Sequence, residues 1–357
     1  MSESTRKLHD LGQSLWVDNI TRPMLSEGVL KGYIDDHDVS GLTSNPTIFD
    51  KAISGGDAYD SQISQERGSA GTTEEIFFRL AIADLQAAAD MFGPVHTRTD
   101  GVDGFVSLEV SPKLADDTEA TIAQAAELHR RAGRPNLFIK IPGTRAGHEA
   151  ISASIHAGIP VNVTLLFDRE HYLGAAQAYM SGVERRIADG LDPAVPSVAS
   201  LFVSRWDKAV IETVPDELRD RLGIAIGGRA YRAYRELLES DRWQALANQG
   251  ARPQRLLWAS TGTKDPRASD VLYIEALAAP FTVNTMPDET LKAFADHGRV
   301  EGALEPDGGD AEEVLAAFAE AGFDVAELAA RLQEEGKAAF VDSWNELLAS
   351  IERQKVA

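Results

Sequence analysis

The sequence predicts an α/β fold in which eight parallel strands close into a (β/α)8 barrel, with additional helices at the C-terminal end. Two observations lead to this prediction. Short apolar segments alternate with amphipathic helical segments as far as residue 286, and the apolar segments are nearly continuous, as in a parallel sheet covered on both faces. Eight such units favour a barrel. An open doubly wound sheet is the alternative that the pattern leaves.

Eight segments are predicted as strands from their apolar residues and the turn residues that flank them. In order they are SLWVDNI (14–20), DVSGLTSN (38–45), DGFVSLEV (103–110), NLFIKI (136–141), IPVNVTLLF (159–167), PSVASLFVS (196–204), QRLLWAST (254–261) and PFTVNTM (280–286). Helices are predicted between them. In residues 73–92 apolar residues recur every three or four positions, and residues 116–133 have acids in the first turn, basic residues in the last and a final glycine.

The strand pattern stops after Pro287, and residues 288–357 are predicted to be helical, rich in alanine and acidic. We interpret this segment as a helical extension that packs on the barrel. The prediction for domain organisation is therefore a single barrel domain over residues 1–357.

The composition excludes several classes of function. Lys and Arg total 35 against 56 Asp and Glu, for a formal net charge of −21, which argues against nucleic acid or an anionic membrane as partner. A small anionic substrate in a local basic pocket stays compatible with that charge. There is no cysteine, which excludes disulfides, zinc–thiolate sites and thiol nucleophiles. No signal-peptide core or membrane-spanning run is visible, so we expect a soluble, cytoplasmic protein.

Polar residues interrupt the predicted strands near their C-terminal ends, where the reacting groups of such barrels lie. The segments carry, in order, Asp18; Thr43, Ser44 and Asn45; Glu109; Lys140; Asn162 and Thr164; Ser200 with Arg205 beyond it; and Ser260. Residues two apart on a strand point to the same side. Because burying such a polar set is unfavourable without a purpose, the pattern predicts an active site.

Lys140 lies within the apolar run LFIKI, although lysine is rarely buried without a partner. A low-dielectric environment disfavours the charged amine, and a neutral lysine attacks carbonyl carbons to form a Schiff base. Asp18 and Glu109 are candidates for the acid and base that carbon–carbon bond cleavage then requires. Asn45, Asn162, Ser200 and Thr164 are candidates for binding sugar hydroxyls, and Arg205 for binding a phosphate.

Each of these residues also has a structural interpretation. Lys140 on an edge strand would extend its amine to water, and Asp18 and Asn45 are residue types that commonly cap helices or turns. Glu109 would serve as the partner of a buried cation, and Arg205 as an ordinary helix-face arginine. Two further lysines are rival amines, Lys113 and Lys264, but we expect no lowered basicity in their polar loops.

Several linked motifs resemble those of the transaldolase family, in its longer bacterial form. They are GLTSNPTIF (41–49), LFIKIPGT (137–144), VNVTLLF (161–167) and WASTGTK (258–264), and the resemblance extends from about Trp16 to TVNTMP at 282–287. It implies a TIM barrel that needs neither metal nor organic cofactor. It also implies transfer of a dihydroxyacetone unit from sedoheptulose 7-phosphate or fructose 6-phosphate to an aldose phosphate, in the non-oxidative pentose phosphate pathway.

The resemblance also implies roles for individual residues. Lys140 matches the Schiff-base lysine, Asp18 the residue that exchanges a proton with the C4 hydroxyl, and Glu109 the glutamate that works with Thr164 and a water. The residues that match substrate-binding positions are Asn45 and Asn162, with Thr43 nearby, Ser200 and Phe202 in the pocket, and Arg205 at the phosphate. Where many relatives have a second phosphate-binding arginine, this chain has Ser260-Thr261-Gly262, and Lys264 is the candidate replacement.

Three hypotheses remain open at the level of sequence. The first is a transaldolase, acting as a monomer or homodimer on sugar phosphates. The second is a fructose 6-phosphate aldolase that uses the same lysine to release dihydroxyacetone, although such relatives are usually much shorter. The third is a catalytically silent barrel that senses sugar phosphates or acts as a structural partner.

Overall fold

A computed structural model describes residues 2–65 and 71–356 of the chain. Eight strands form one parallel sheet, and each lies within or overlaps a segment predicted as a strand. Their bounds are β1 Gln13–Asp18, β2 Val39–Thr43, β3 Val106–Glu109, β4 Leu137–Pro142, β5 Val161–Leu166, β6 Ser197–Phe202, β7 Gln254–Ala259 and β8 Thr282–Met286. The hydrogen-bonded order is β2-β1-β8-β7-β6-β5-β4-β3. The predicted (β/α)8 barrel is confirmed, and the open doubly wound sheet is not observed.

Helices surround the strands as predicted. They are α1 Glu3–Leu11, α2 Arg22–Ser26, α3 Val29–Asp36, α4 Pro46–Ser54, α5 Asp60–Gln65, α6 Thr73–Arg98, α7 Thr118–Ala132, α8 Arg145–His156, α9 Arg169–Ala188, α10 Ser204–Val210, α11 Leu222–Glu239, α12 Asp241–Ala247, α13 Leu272–Ala276, α14 Asp288–His297, α15 Ala311–Glu320 and α16 Val325–Val356. Within the described ranges, no helix has the length and apolar character needed to cross a membrane.

Two of these helices correspond to the helical segments singled out in the sequence. Helix α7 matches the predicted residues 116–133 closely. Helix α6 continues beyond the predicted residues 73–92 and contains Pro94. Proline removes one backbone donor from a helix, and here the buried residues along α6 hold the helix through that position.

The barrel closes between β2 and β3 through two backbone hydrogen bonds that join β2 to the residues just before β3, rather than through a regular ladder. The amide of Gly104 donates to the carbonyl of Ser40 at 2.8 Å, and the amide of Leu42 donates to the carbonyl of Phe105 at 2.9 Å. Gly41 lies between these bonds, and a Cβ there would meet Phe105 O at 2.7 Å and the Trp16 ring at 2.6 Å. The absence of a side chain at Gly41 therefore permits the closure.

The C-terminal segment is helical in α14, α15 and α16, whereas residues 298–310 form loops and turns. Helix α16 packs against α4, α5 and α6 and also contacts β5. The amide of Gln333 on α16 donates to the carbonyl of Leu165 at 2.9 Å. The pairing of β5 with β6 shifts in register between Val163 and Leu166, and Leu165 has a φ of 60°. The single-domain interpretation of residues 1–357 stays a prediction.

Replacing Gly41 with alanine should destabilise the protein, because the new methyl group would collide with backbone and an indole ring. We expect a loss of about 1–3 kcal/mol in the free energy of unfolding, as for other overpacked cores. Denaturant unfolding measures this loss.

Gly32→Ala is the matched control, since Gly32 lies within α3 and a methyl group added there would meet no neighbouring side chain or segment within 4 Å. That change should raise stability by about 0.4–1 kcal/mol. Equal effects of the two substitutions would contradict the role given to Gly41.

Candidate active site

A cavity of about 330 Å³ opens at the C-terminal end of the barrel and collects nearly all the residues predicted for the site. The predicted residues on its wall are Asp18, Thr43, Asn45, Lys140, Thr164, Ser200, Phe202, Arg205, Ser260 and Lys264. Two predicted residues, Glu109 and Asn162, lie just behind the wall. Glu109 contacts Lys140 and Asn162 contacts Ser200, so these two belong to the same polar cluster.

The register of the strands explains why residues far apart in the chain meet here. Glu109 on β3 is paired with Lys140 on β4, and Lys140 is paired in turn with Asn162 on β5. Asp18 on β1 is paired with Thr43 on β2. Polar residues that end neighbouring parallel strands therefore lie side by side at one end of the barrel, where such enzymes bind their substrates.

Lys140 is buried, with 5% of its surface exposed. Its Nζ donates to Glu109 Oε2 at 3.3 Å and to the carbonyl of Ser44 at 3.2 Å. Strand β4 has β3 on one side and β5 on the other, so the interpretation of Lys140 as an edge-strand lysine is wrong. The amine instead ends in the cavity beside a carboxylate.

The two carboxyl groups of the site are both harder to ionise than usual. Burial raises the pKa of Glu109, and the charge of Lys140 and its hydrogen bond oppose that rise. Burial also raises the pKa of the partly buried Asp18, opposed by Lys140 and by Thr43. Thr43 Oγ1 donates to Asp18 Oδ1 at 2.6 Å. A raised pKa allows each carboxyl to exchange protons closer to neutral pH.

Two buried oxygens of the site have no hydrogen-bond partner in the described protein, Glu109 Oε1 and Thr164 Oγ1. Buried polar atoms are usually paired with protein groups or ordered water, so each of these oxygens is able to bind a further polar group. Close by, Ser200 Oγ donates to Asn162 Oδ1 at 2.7 Å. Asn162 Nδ2 donates to Ser107 Oγ at 3.1 Å, which fixes the orientation of the Asn162 amide.

The capping interpretation is right for one of the two residues to which it was applied. Asn45 caps α4, because its Oδ1 accepts from the amide of Ile48 at 3.0 Å, and the same residue lines the cavity. Asp18 accepts from Thr43 instead, and the N-cap of the following helix α2 is Thr21. The cap on Asn45 thus fixes a side chain that also faces the cavity.

Three cationic side chains also line the cavity, Arg205, Lys264 and Lys51. The Arg205 guanidinium lies 5.1 Å from the centre of the Phe202 ring. The pKa of Lys264 is lowered, first by partial burial of its side chain at the cavity mouth and then by the charges of Lys208 and Arg205. Our expectation of ordinary basicity at Lys264 is therefore wrong. By contrast, Lys113 is exposed and lies outside the cavity.

Several wall residues were not predicted from the sequence: Thr47, Ile48 and Lys51 on α4, Thr285 on β8 and Phe340 on α16. Thr285 was detectable, because it is a polar residue near the end of the eighth strand, and its hydroxyl lies 2.7 Å from that of Thr43. Nothing in the local sequence marks Phe340, since it resembles any apolar residue of an amphipathic helix.

These features define the class of (β/α)8 barrel enzymes that carry a lysine in the active site. Comparison with known families identifies the family: the model described as Transaldolase/Fructose-6-phosphate aldolase matches residues 15–351. The chain therefore belongs to the transaldolase/fructose-6-phosphate aldolase family. The resemblance inferred from the motifs and the prediction of an enzyme of this family are confirmed.

Curated relatives cover nearly the whole chain. Proteins named Transaldolase from Arthrobacter sp. (strain FB24), Parafrankia sp. (strain EAN1pec) and Thermobifida fusca (strain YX) are 43%, 45% and 44% identical, over 99%, 99% and 100% of this chain and 97%, 98% and 100% of their own lengths. A solved fructose-1,6-biphosphate aldolase structure from Coccidioides immitis matches 99% of this chain and 97% of its own at 8% identity and a TM-score of 0.29, a likeness too low to support an argument.

Replacing Lys140 with methionine should raise the pKa of Glu109 further, because Lys140 is the group that opposes the effect of burial. We expect the protonated carboxyl of Glu109 to persist to higher pH in K140M than in the unsubstituted protein. Infrared spectra recorded across a pH titration detect the protonated carboxyl band.

The double variant K140M/E109Q assigns that band, since it lacks the Glu109 carboxyl. An identical titration in K140M and the unsubstituted protein would contradict the coupling of Glu109 to Lys140.

Proposed function

We propose that this chain is a transaldolase that carries a dihydroxyacetone unit on Lys140 between two sugar phosphates. The observation that carries the proposal is the buried Lys140 amine, 3.3 Å from Glu109 and in the same cavity as Asp18. The donor is sedoheptulose 7-phosphate or fructose 6-phosphate, and the acceptor is glyceraldehyde 3-phosphate or erythrose 4-phosphate. The 43–45% identity to proteins named Transaldolase supports it.

Schiff-base formation begins when Glu109 takes a proton from the Lys140 ammonium. The neutral amine attacks the carbonyl carbon of the ketose and gives a carbinolamine. Glu109 then returns a proton to the carbinolamine hydroxyl, which leaves as water and yields the iminium. The unpaired oxygens Glu109 Oε1 and Thr164 Oγ1 are suited to hold that water, and the same groups serve the final hydrolysis.

Cleavage and transfer are assigned to Asp18. Its carboxylate takes the proton of the C4 hydroxyl while the C3–C4 bond breaks, and the iminium accepts the electron pair to become an enamine. The aldose phosphate product leaves. The enamine carbon then attacks the aldehyde of the acceptor, and Asp18 returns its proton to the new hydroxyl, so atoms and charge balance over the cycle. The hydrogen bond from Thr43 orients Asp18 for both steps.

The remaining residues divide into two groups by chemistry. Asn45, Asn162 and Ser200 present amide and hydroxyl groups near the lysine, as hydroxyl recognition requires. Arg205 and Lys264 are assigned to the phosphate, with Ser260 between β7 and Lys264. Lys51 on α4 adds a third cation to the cavity wall, beside Lys264 as the proposed replacement for the second arginine.

The proposal also covers location and oligomeric state. We propose that the enzyme is cytoplasmic. We expect it to be a monomer or a homodimer, and sedimentation analysis would distinguish these two states. The alternative activity is fructose 6-phosphate aldolase, because the family description covers both names. The silent-barrel hypothesis is disfavoured, because Lys140, Asp18 and Glu109 are all present at the cavity.

Borohydride trapping tests the covalent step. With fructose 6-phosphate alone, we expect reduction to leave a dihydroxyacetone adduct on Lys140, located by peptide mass mapping. Adding erythrose 4-phosphate should deplete the adduct because the enamine is transferred.

The variants K140M and K264M separate the two amines of the cavity. K140M should form no adduct, and K264M should form it on Lys140 with a weaker affinity for substrate. An adduct on Lys264, or none on any lysine of the folded protein, would refute the proposal.

The pH dependence tests the role of Asp18. A carboxyl group acts as a general base only when it is ionised, so activity should fall as pH drops through the pKa of Asp18. Because that pKa is raised, the fall should occur above the ordinary aspartate pKa of about 3.9. Asp18→Asn should reduce kcat on the order of 10²–10⁴-fold and remove this part of the pH profile. Steady-state kinetics across pH, with the exposed Asp36→Asn as control, measure both. An unchanged profile in D18N would exclude Asp18 as the base.

A further inference from the structure

Helix α16 crosses the mouth of the cavity and is anchored on both sides of it. On one side, Gln333 donates to the carbonyl of Leu165 at the end of β5. On the other side, Thr47 donates to Ser343 at 2.8 Å, and Ser350 donates to Asp50 at 2.8 Å. Between these anchors α16 faces the barrel interior, so one of its side chains becomes part of the cavity wall.

That side chain is Phe340, which is 6% exposed. The centre of its ring lies 5.8 Å from Lys140 Nζ and 5.9 Å from Arg205 Cζ. The ring is therefore close to both the amine proposed to carry the substrate and the guanidinium proposed to hold its phosphate. Both distances are within the range at which a ring interacts with a cation.

Phe340 continues a row of aromatic side chains, here called the aromatic wall and consisting of Phe167, Phe202 and Phe340. Phe167 and Phe202 are stacked with centroids 5.3 Å apart, and Phe202 meets Phe340 edge to face at 6.4 Å. Aromatic carbon offers no strong hydrogen bond to water. Water that approaches Lys140 from this side therefore finds no partner on the wall.

The enamine proposed above can leave Lys140 by two routes. In transfer, its carbon attacks the acceptor aldehyde, and the aldehyde oxygen takes a proton. In release, the same carbon takes a proton to give an iminium, water adds to that iminium, and free dihydroxyacetone departs as the amine is regenerated. Both routes take up a proton, and both end in hydrolysis of an iminium by the water proposed at Glu109 and Thr164. Release differs because a proton must reach the enamine carbon before the acceptor does, so the access of proton-delivering water to that carbon decides between the routes.

We propose that Phe340 is a specificity-determining residue that favours transfer over release by closing the α16 side of the lysine adduct to water. This inference rests on the proposed function, since it concerns what happens to the enamine after cleavage. It assigns the C-terminal helix a role in the reaction.

The experiment compares product partition in Phe340→Ala, Phe340→Leu and the unsubstituted protein, with fructose 6-phosphate as donor. Free dihydroxyacetone and the transfer product are measured at several concentrations of erythrose 4-phosphate. We expect F340A to raise the ratio of release to transfer on the order of tenfold, a change equivalent to about 1.4 kcal/mol in relative barriers. F340L keeps part of the apolar volume and should raise this ratio less than F340A does.

Leu347→Ala is the matched control. Leu347 is fully buried on the same helix but outside the cavity wall, so its truncation loosens α16 without opening the wall. L347A should leave the partition unchanged. An equal rise in L347A would show that seating of the helix, and not the Phe340 ring, governs the routes.

Failure of this inference is distinguishable from failure of the proposed function. If borohydride traps Lys140 in both F340A and the unsubstituted protein, and the partition is the same, only the role of Phe340 is overturned. If no adduct forms in the unsubstituted protein, the proposed function itself fails.

A variant that does not fold, as judged by circular dichroism and thermal unfolding, is replaced by a milder one. If F340A fails in this way, the partition in F340L and Phe340→Met decides. Both variants keep an apolar side chain but lack the planar ring. A raised ratio of release to transfer in either variant supports the inference, whereas no rise in either variant overturns it.

Discussion

The buried pair formed by Lys140 and Glu109 constrains the whole C-terminal face of the barrel. Removing two charges from water costs several kcal/mol for each ion unless hydrogen bonds and neighbouring polar groups compensate. Here the carbonyl of Ser44 accepts from the amine, and Asp18 and Asn162 lie on strands around it. Burial raises the pKa of Glu109, so this carboxyl takes up a proton more readily than an exposed glutamate does. The burial of Glu109, which is unfavourable for folding, thus also favours proton exchange by its carboxyl.

The cavity combines two sets of polar groups, and this combination suits a phosphorylated carbonyl compound as the proposed substrate. Strands β1 to β5 supply the amine, the carboxyls and the amides. The segments after β6 and β7, together with α4, supply Arg205, Lys264 and Lys51. Helix α16 adds Phe340 to the same wall. The barrel places the proposed reacting groups on its strands, and α4 and α16 add further side chains around them.

Much of the site was predictable because strand ends are visible in the local sequence. A lysine or glutamate at the end of an apolar strand, as at Lys140 and Glu109, points to one place in a barrel whose strands all run in parallel. The structural interpretations were harder to decide, since Asn45 is both a helix cap and a wall residue. The expectation for Lys264 was wrong because its loop is polar in sequence, whereas its neighbours in space are Arg205 and Lys208.

The amino-acid sequence by itself determined the eight strands, the helices between them and the row of polar strand ends, because each depends on residues that are near one another in the chain. Only the tertiary structure decided how the barrel closes, through Gly41 and loop backbone, and which helical residues reach the cavity. Lys51 and Phe340 have the local patterns of ordinary helix residues. Their places in the site depend on the docking of α4 and α16 onto the barrel, which contacts between distant segments determine and no local pattern records.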